Sequence, residues 1–483
     1  MTRDAGNETI NLSGNFSLIS GSFTRRTGTT GIARVNFAKA GTQNYIKSGG
    51  SITNAINFVV NSGSTLNMSA NILDGSTGTF TLSSGGGLIL GDANGITSAT
   101  IGATGGNIRV TGTRTYDIGG NYEYNGTINQ ATGNGLPGTV NNLIITNSAL
   151  NGIVTLTSTT SLDGALMLNS GVLSLGTNNL SVNNGAIVGG AAFSATNMVA
   201  TGTGRFIRYF SAGNSAPFVF PVGDITATAE YSPVMLDFSA SDNPGTIGIN
   251  VTGAVHPSIN SGSTASSYLS RYWTFTTTGL TNYTYIASTY QYPTSDVTGT
   301  ETDMKLSFWN GSAWTTVDGS NAGGNQLSIT SSLDNATGKL DGNEFTGRIS
   351  GCVSDLVNPT VTCPSNITQN NIAGSCNAVI AVPDATYGDN CGVTILTWDM
   401  SGATTGTSLA TGINQIGTKT FNVGVTTITY TAYDAAGNSS TCSFTVTVVD
   451  AELPLISCPA NYNQNVSAGT CAASIVTSKS YYQ

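Results

Sequence analysis

The sequence predicts an all-β chain: a parallel β-helix over 1–203, an antiparallel β-sandwich over 204–354, and a cysteine-bearing module over 355–449 that starts again at 450–483. Three observations carry this prediction. Apolar–polar alternations recur about every 22 residues in the first part, a period that suits one coil of a β-solenoid. Large aromatics and turn dipeptides crowd the middle. A Cys-Pro motif recurs at an offset of 95 near the end, from Cys363-Pro364 to Cys458-Pro459.

Composition narrows the function classes. The 483 residues include 16 Lys and Arg against 25 Asp and Glu, a formal charge of −9, and only 8% of residues are charged. A coiled coil lacks its flanking Glu and Lys here, and an acidic chain offers no basic face for nucleic acid. Disorder is disfavoured because 39% of residues are hydrophobic and many of them β-branched. No stretch approaches the 18 consecutive apolar residues of a spanning helix, so no membrane insertion is expected. All seven cysteines fall after residue 351, which points to an oxidising, extracellular or cell-surface setting. Met1-Thr-Arg-Asp carries no leader of signal-peptide length, so an exported chain of this kind reads as a piece of something longer.

Phe58-Val-Val-Asn-Ser-Gly63 and Phe80-Thr-Leu-Ser-Ser-Gly85 align with each other, as do Leu66 with Leu88 and Met68 with Leu90. Leu166 to Leu175 and Leu180 to Val188 continue the pattern. Period-2 alternation turns one side of each strand into a core, and Gly and Asn supply the left-handed conformations of short corners. Stacked coils at about 4.8 Å would also align Asn side chains into ladders. Leu66, Leu88, Leu166 and Leu175 are expected inside.

The segment Tyr124-Asn-Gly-Thr-Ile-Asn-Gln130 through Val140-Asn-Asn-Leu-Ile-Ile-Thr-Asn147 resembles the β-helical repeat regions of very large secreted surface proteins of Gram-negative bacteria, often exported by the type IX route. The resemblance implies a right-handed parallel β-helix and carries no chemistry. β-Helices also scaffold polysaccharide lyases and hydrolases, whose sites gather carboxylates. The densest candidate is Arg114, Tyr116, Asp117, Tyr122, Glu123 and Tyr124. Asp117 and Glu123 flank Gly119-Gly120 and would be the acids of a secreted carbohydrate-active enzyme, the alternative reading; surface polars around a turn is the one adopted. Tyr116, Tyr122 and Tyr124 are candidate carbohydrate contacts.

Between 204 and 354, strands such as Phe206–Phe210, Tyr231–Phe238 and Tyr272–Phe275 are separated by Pro and Gly, as in a sandwich whose aromatics fill a gap of about 10 Å. Asn310-Gly311 between Trp309 and Trp314 marks a hairpin. The single histidine, His256, has no partner for zinc ligation and is read as a loop residue. Asp296, Glu301 and Asp303 form an acidic loop that is read as solvated, with calcium as the alternative.

Asp355 to Pro364 recurs as Asp450 to Pro459, with Ala373, Gly374 and Cys376 matched by Ala468, Gly469 and Cys471. With Asp389-Asn-Cys391-Gly and Tyr433-Asp434-Ala-Ala-Gly437-Asn438, the segment resembles a hyalin repeat, an immunoglobulin-like sandwich of extracellular adhesive proteins. The resemblance implies adhesion or spacing and no catalysis. Cys363, Cys376, Cys391 and Cys442 permit three pairings. Because the second copy holds only Cys458 and Cys471, a local Cys363–Cys376 bridge with Cys391–Cys442 is the pairing expected, and Cys352 is left without a partner. The 34 residues of the second copy are too few to bury a core alone. Asp355, Asp434, Asp450 and Glu452 are candidate calcium ligands at module junctions; no other cofactor is expected. The function predicted is a non-enzymatic extracellular, adhesin-like structural protein, with glycans, surface proteins or further repeats of the same parent chain as partners.

Overall fold

A computed structural model describes residues 2–4, 7–25, 31–98, 105–213, 215–261, 265–317, 320–329, 333–334, 340–350, 357–389 and 392–456, and then 458, 460–466, 468–469, 471–473 and 475–476. Met1–Ser350 forms one compact unit and Gly351–Gln483 a second. Among the described residues the only helical elements are two 3₁₀ turns, Thr294–Asp296 and Glu301–Asp303, and none is long or apolar enough to cross a membrane.

After an antiparallel pair, Thr2–Asp4 with Asn7–Leu12, the first unit continues as stacked parallel coils. Phe58 lies beside Phe80, and Leu66 beside Leu88, in parallel register. The column continues through Tyr122, Leu143, Leu166 and Val188. Leu66, Leu88, Leu166 and Leu175 are all buried, as the alternation requires. Two details depart from a uniform period. The step from Leu88 to Tyr122 is longer than one period, and within it Ile108 is tied to an earlier coil through the parallel bridge Leu73–Ile108. A bulge at Ser69, with φ 45°, places Ser69 rather than Met68 opposite Leu90. Both Met68 and Leu90 remain inside.

Corners stack as the strands do. Gly63 and Gly85 have φ of 74° and 72°, and the Gly63 N–H donates to the Gly85 carbonyl at 3.0 Å. The matched position therefore demands glycine at successive coils. Asparagines form the expected ladders: Asn36 donates to Asn11 at 2.7 Å, Asn67 to Asn44 at 3.0 Å, and both Asn141 and Asn142 to Asn121.

The boundary expected at 203/204 is not a break in the structure. Phe206–Phe210 pairs in parallel with Leu180–Val182 and antiparallel with Gly245–Thr252, so one strand belongs to both architectures. Val222–Asp224 does the same, parallel to Val199–Ala200 and antiparallel to Glu230–Tyr231. One continuous apolar core runs from Phe16 to Phe345. Beyond this seam the sheets are antiparallel; one orders Phe218–Phe220, Val234–Ala240, Thr284–Gln291, Gln326–Ile329 and Ser320–Gly323. Aromatics fill the space beside it: Tyr290 stacks on Phe345 at 5.8 Å and meets Trp273 at 5.4 Å. The hairpin at Asn310-Gly311 forms, with Trp309 paired to Trp314 and Gly311 at φ 91°.

The second unit is a smaller sandwich. A five-stranded sheet runs Ile367–Asn370, Ser439–Val449, Gly424–Asp434, Val393–Gly402, Gly406–Thr407, and Asn377–Ala381 pairs with Thr418–Asn422 in a separate two-stranded sheet. Ala378, Leu396, Phe421, Ile428, Tyr430 and Val446 form its core at 0% exposure. The described residues of 450–483 make no strand, and Ile475 is 50% exposed where its counterpart Ile380 is 3%.

Candidate functional site

Of the tyrosines proposed to touch carbohydrate, Tyr122 and Tyr124 do not face solvent and Tyr116 does so only in part. Strand Asn121–Tyr124 alternates inward and outward, and Tyr122 and Tyr124 are the inward pair at 0% exposure. Their hydroxyls donate to the Asp117 carbonyl at 3.0 Å and the Thr132 carbonyl at 2.8 Å. Tyr116 packs against the core, and its hydroxyl donates to the Thr97 carbonyl at 3.3 Å. Burial pushes all three phenols well above their ordinary pKa. The sequence signal was present: Tyr122 sits at the position of Leu88 and Leu66 in the repeat, an inward position. Tyr122 and Tyr124 are core, and the carbohydrate assignment is corrected for these two; Tyr116 is half-buried against the core.

At the same corner both acids accept hydrogen bonds from within the coils. Asp117 Oδ1 accepts the Gly119 N–H at 2.8 Å and shapes the turn. Glu123 points outward and accepts from Thr146 at 2.7 Å on the next coil. Arg114, 7% exposed, donates to the Val110 carbonyl at 2.9 Å and to Thr97 Oγ1 at 2.6 Å.

The acidic loop is divided between two structural roles. Asp296 is buried and accepts from Arg271 Nε at 2.5 Å and from Ser270 Oγ at 3.1 Å. Arg271, at 0% exposure, also donates to Asp224 and Glu230. Burial alone would lower the arginine pKa, but Asp224 and Asp296 outweigh it and raise it. Glu301 instead accepts from the Tyr292 hydroxyl at 2.8 Å and the Asn325 N–H at 2.7 Å. Sequence reasoning missed the Arg271 cluster. Its only cue is a cation inside the apolar run Leu269-Ser-Arg-Tyr-Trp273, which demands acids from elsewhere.

His256 is not an ordinary loop residue. It is 2% exposed, with Nε2 at 2.7 Å from Glu344 Oε2, and Nδ1 accepts the Ser258 N–H at 3.0 Å. Since Nδ1 accepts, Nε2 carries the proton toward Glu344. Tyr272, Trp309 and Trp314 surround the ring at 4.9, 6.0 and 4.9 Å. The arrangement orients the loop, and the Glu344 carboxylate also accepts from the Thr274 hydroxyl at 3.4 Å.

In the second unit the disulfide is Cys363–Cys442, with Cα atoms 5.7 Å apart. The expected pairing of Cys363 with Cys376 and of Cys391 with Cys442 is thereby overturned. The reason is register. Ile367–Asn370 runs parallel to Val446–Val449, and carrying that alignment back four residues brings Cys363 level with Cys442. Cys376 belongs to the other sheet, its carbonyl accepting the Val423 N–H at 3.0 Å. Cys376, Cys458 and Cys471 are exposed free thiols. Cys352 and Cys391 lie outside the described residues.

Of the four candidate calcium ligands, Asp355 lies outside the described residues. Asp434 closes a turn: Asn438 donates to it through its backbone N–H at 2.8 Å and its side chain at 2.7 Å. Desolvation pushes this carboxyl up, yet hydrogen bonds from Asn438, Gly437 and Ala436 prevail and hold it below the ordinary Asp value. Asp450 lies at the far end of the 11-residue strand Ser439–Val449 and accepts the Glu452 N–H at 3.1 Å. At about 3.3 Å per residue, roughly 35 Å separates the two ends of that strand. The Glu452 carboxylate accepts from the Gly374 N–H. No group of three metal-ligating side chains exists among the described residues.

Comparison with known proteins bears on the second unit. The chain is 36% identical over 121 residues to hyalin of Strongylocentrotus purpuratus, which covers 24% of this chain and 9% of that protein. It is 30% identical over 128 residues to hyalin of Lytechinus variegatus, covering 26% of this chain and 22% of the relative. The chain therefore spans less than a quarter of either relative. No solved structure matches it. Residues 354–448, the segment built around the Cys363–Cys442 bridge, match the HYR domain family.

Proposed function

We propose that this chain is a non-enzymatic structural protein of the extracellular space, in which a β-helical unit and a disulfide-braced HYR module act in adhesion or spacing. The observation that carries the reading is the HYR match over 354–448 together with the recurrence of its opening motif at 450–459. A module that repeats and is clamped by a disulfide suits an oxidising exterior and an extended array. Hyalin is a protein that this chain is similar to over about a quarter of its length. The HYR match and the disulfide support surface or extracellular partners in general; glycans, surface proteins and further repeats of the parent chain are the finer proposals. A Gram-negative bacterial source rests only on the resemblance of the β-helical region, roughly 115–200 and more loosely 1–114, whereas the matched relatives are sea-urchin proteins.

The test is bead adhesion. Beads coated with the full chain, oxidised or reduced, are settled on immobilised extracellular matrix and on bacterial cell-envelope material under flow. Retention above albumin-coated beads, lost on reduction, supports the reading. Equal retention of coated and control beads, or release of reducing sugar from polysaccharides in a manner abolished by Asp117→Asn or Glu123→Gln, overturns it.

A further inference from the structure

The flank of the β-helix carries a cleft that none of the foregoing uses. It forms where the corners of three successive coils stack: residues 147–152, 169–171 and 191–197. Its volume is about 400 Å³, and its lining includes Asn147, Asn151, Asn169, Ser194, Thr196 and Asn197. A second hollow of about 440 Å³ adjoins it, sharing Asn151 and Thr196, and is lined on the other side by Ile153, Val172, Ala195, Ile225 and Ala229. Both volumes fall in the ordinary range of ligand sites.

The chemistry of the lining is selective. No Asp, Glu, Lys, Arg or His lines either hollow, so a charged ligand would lose its hydration without gaining a counter-ion. One half offers amides and hydroxyls, the other aliphatic carbon. The carboxamides of Asn151 and Asn169 are exposed and make no hydrogen bond to other described residues. Asn197, 5% exposed, donates its amide to the Leu168, Ala191 and Ala192 carbonyls, while its buried Oδ1 has no donor. Exposed carboxamides and hydroxyls with no charge beside them favour a ligand that brings hydroxyl groups of its own. The floor is fixed by glycine: a Cβ on Gly152 would stand 2.2 Å from Asn147 Oδ1, and Gly171 has φ 94°. At the lip, Leu150 is 95% exposed.

We propose that this cleft binds a neutral glycan, with ring hydroxyls on Asn151, Asn169 and the Ser/Thr side chains and a carbon-rich sugar face over Ile153 and Ile225. The assignment rests on the non-enzymatic extracellular reading and gives it a ligand class and a place. The test titrates the full chain calorimetrically with cellohexaose, mannohexaose and chitohexaose, and with trigalacturonate and a heparin hexasaccharide as acidic probes. Thr196 faces both hollows, so Thr196→Trp should cut affinity for a neutral hexasaccharide at least tenfold. Asn169→Ala, an exposed substitution that leaves the fold intact, should cost about threefold to tenfold, the worth of one or two hydrogen bonds. Thr115→Trp, on another strand of the coil, should change nothing. Reducing ends are counted in the same samples. Neutral binding lost in the two cleft variants and kept in Thr115→Trp supports the site. No binding of any neutral probe at millimolar concentration, preference for the acidic probes, or binding indifferent to Thr196→Trp overturns it while leaving the structural reading standing. New reducing ends would instead overturn the non-enzymatic reading itself.

Discussion

Arg271 and Asp296 meet at 2.5 Å with the guanidinium wholly buried, and the same guanidinium holds Asp224 and Glu230. Asp224 ends a strand that is still parallel to the β-helix, whereas Asp296 belongs to a 3₁₀ turn of the sandwich region. One cation thus fastens the last coil to the sheets that cover it. Arg271→Met leaves two buried carboxylates uncompensated and should destabilise Met1–Ser350 by about 3–5 kcal/mol. Denaturant melts of the variant against wild type measure this. A loss below about 1 kcal/mol would show that the cluster is not a fastening.

The bridge Cys363–Cys442 closes 79 residues, worth about 4–5 kcal/mol in the chain-entropy picture and about 2–5 kcal/mol in practice. Non-reducing peptide mapping should yield the 363–442 cross-link, with Cys376 open to alkylation. Cys442→Ser should lower the melting temperature of the HYR module and leave Met1–Ser350 unchanged, because no cysteine precedes Cys352. A mapped Cys363–Cys376 peptide would restore the local pairing.

What the sequence discloses is what repeats. The period of about 22 places Leu66, Leu88 and Leu166 inside, and the offset of 95 finds the module. What it hides is non-local. Cys363 finds its partner through a parallel strand pair that no spacing displays, and Arg271 finds acids 25, 41 and 47 residues away. The inward tyrosines escape sequence reading for a different reason. A phenol looks like a surface group, but the Tyr122 and Tyr124 hydroxyls are satisfied by backbone carbonyls and their rings fill the coil.

That packing gives a mutational prediction. Tyr122→Ala should cost about 3–5 kcal/mol through the cavity it opens in the column, and Tyr124→Phe about 1 kcal/mol for its hydrogen bond. Urea midpoints at constant m-value are the measurement. Both variants should bind neutral glycans as wild type does once folded, since neither side chain reaches solvent.

Buried phenols also fix the alkaline limit. Burial pushes Tyr231 up to about 12 and pushes Tyr45, Tyr122 and Tyr285 further. A folded-state pKa above the unfolded value of 10 means that the stabilisation is complete below pH 10. Above that, the unfolded chain gives up protons that the folded chain retains, so stability falls with rising pH. Met1–Ser350 should therefore lose stability steadily between pH 10 and 12. A flat stability profile across that window, followed by near-ultraviolet absorbance and far-ultraviolet dichroism, would contradict it.

Calcium is the last case, and the geometry argues for no effect. Asp434 already receives two hydrogen bonds from Asn438, which an ion would have to displace, and Asp450 lies at the other end of an 11-residue strand. Hard-cation sites need six or more oxygens within 2.3–2.6 Å, which one satisfied carboxylate cannot supply. The expected outcome is the same melting temperature for Gly351–Gln483 in calcium and in chelator. Acid should act where calcium does not: the Asp434 carboxyl sits below its ordinary value, so its stabilisation is present above the unfolded pKa and lost as pH falls through the folded one. Asp434→Asn should therefore flatten the acid limb of the stability profile and leave the response to calcium unchanged. A calcium-dependent rise in melting temperature that Asp434→Asn removes would make this turn a cation site.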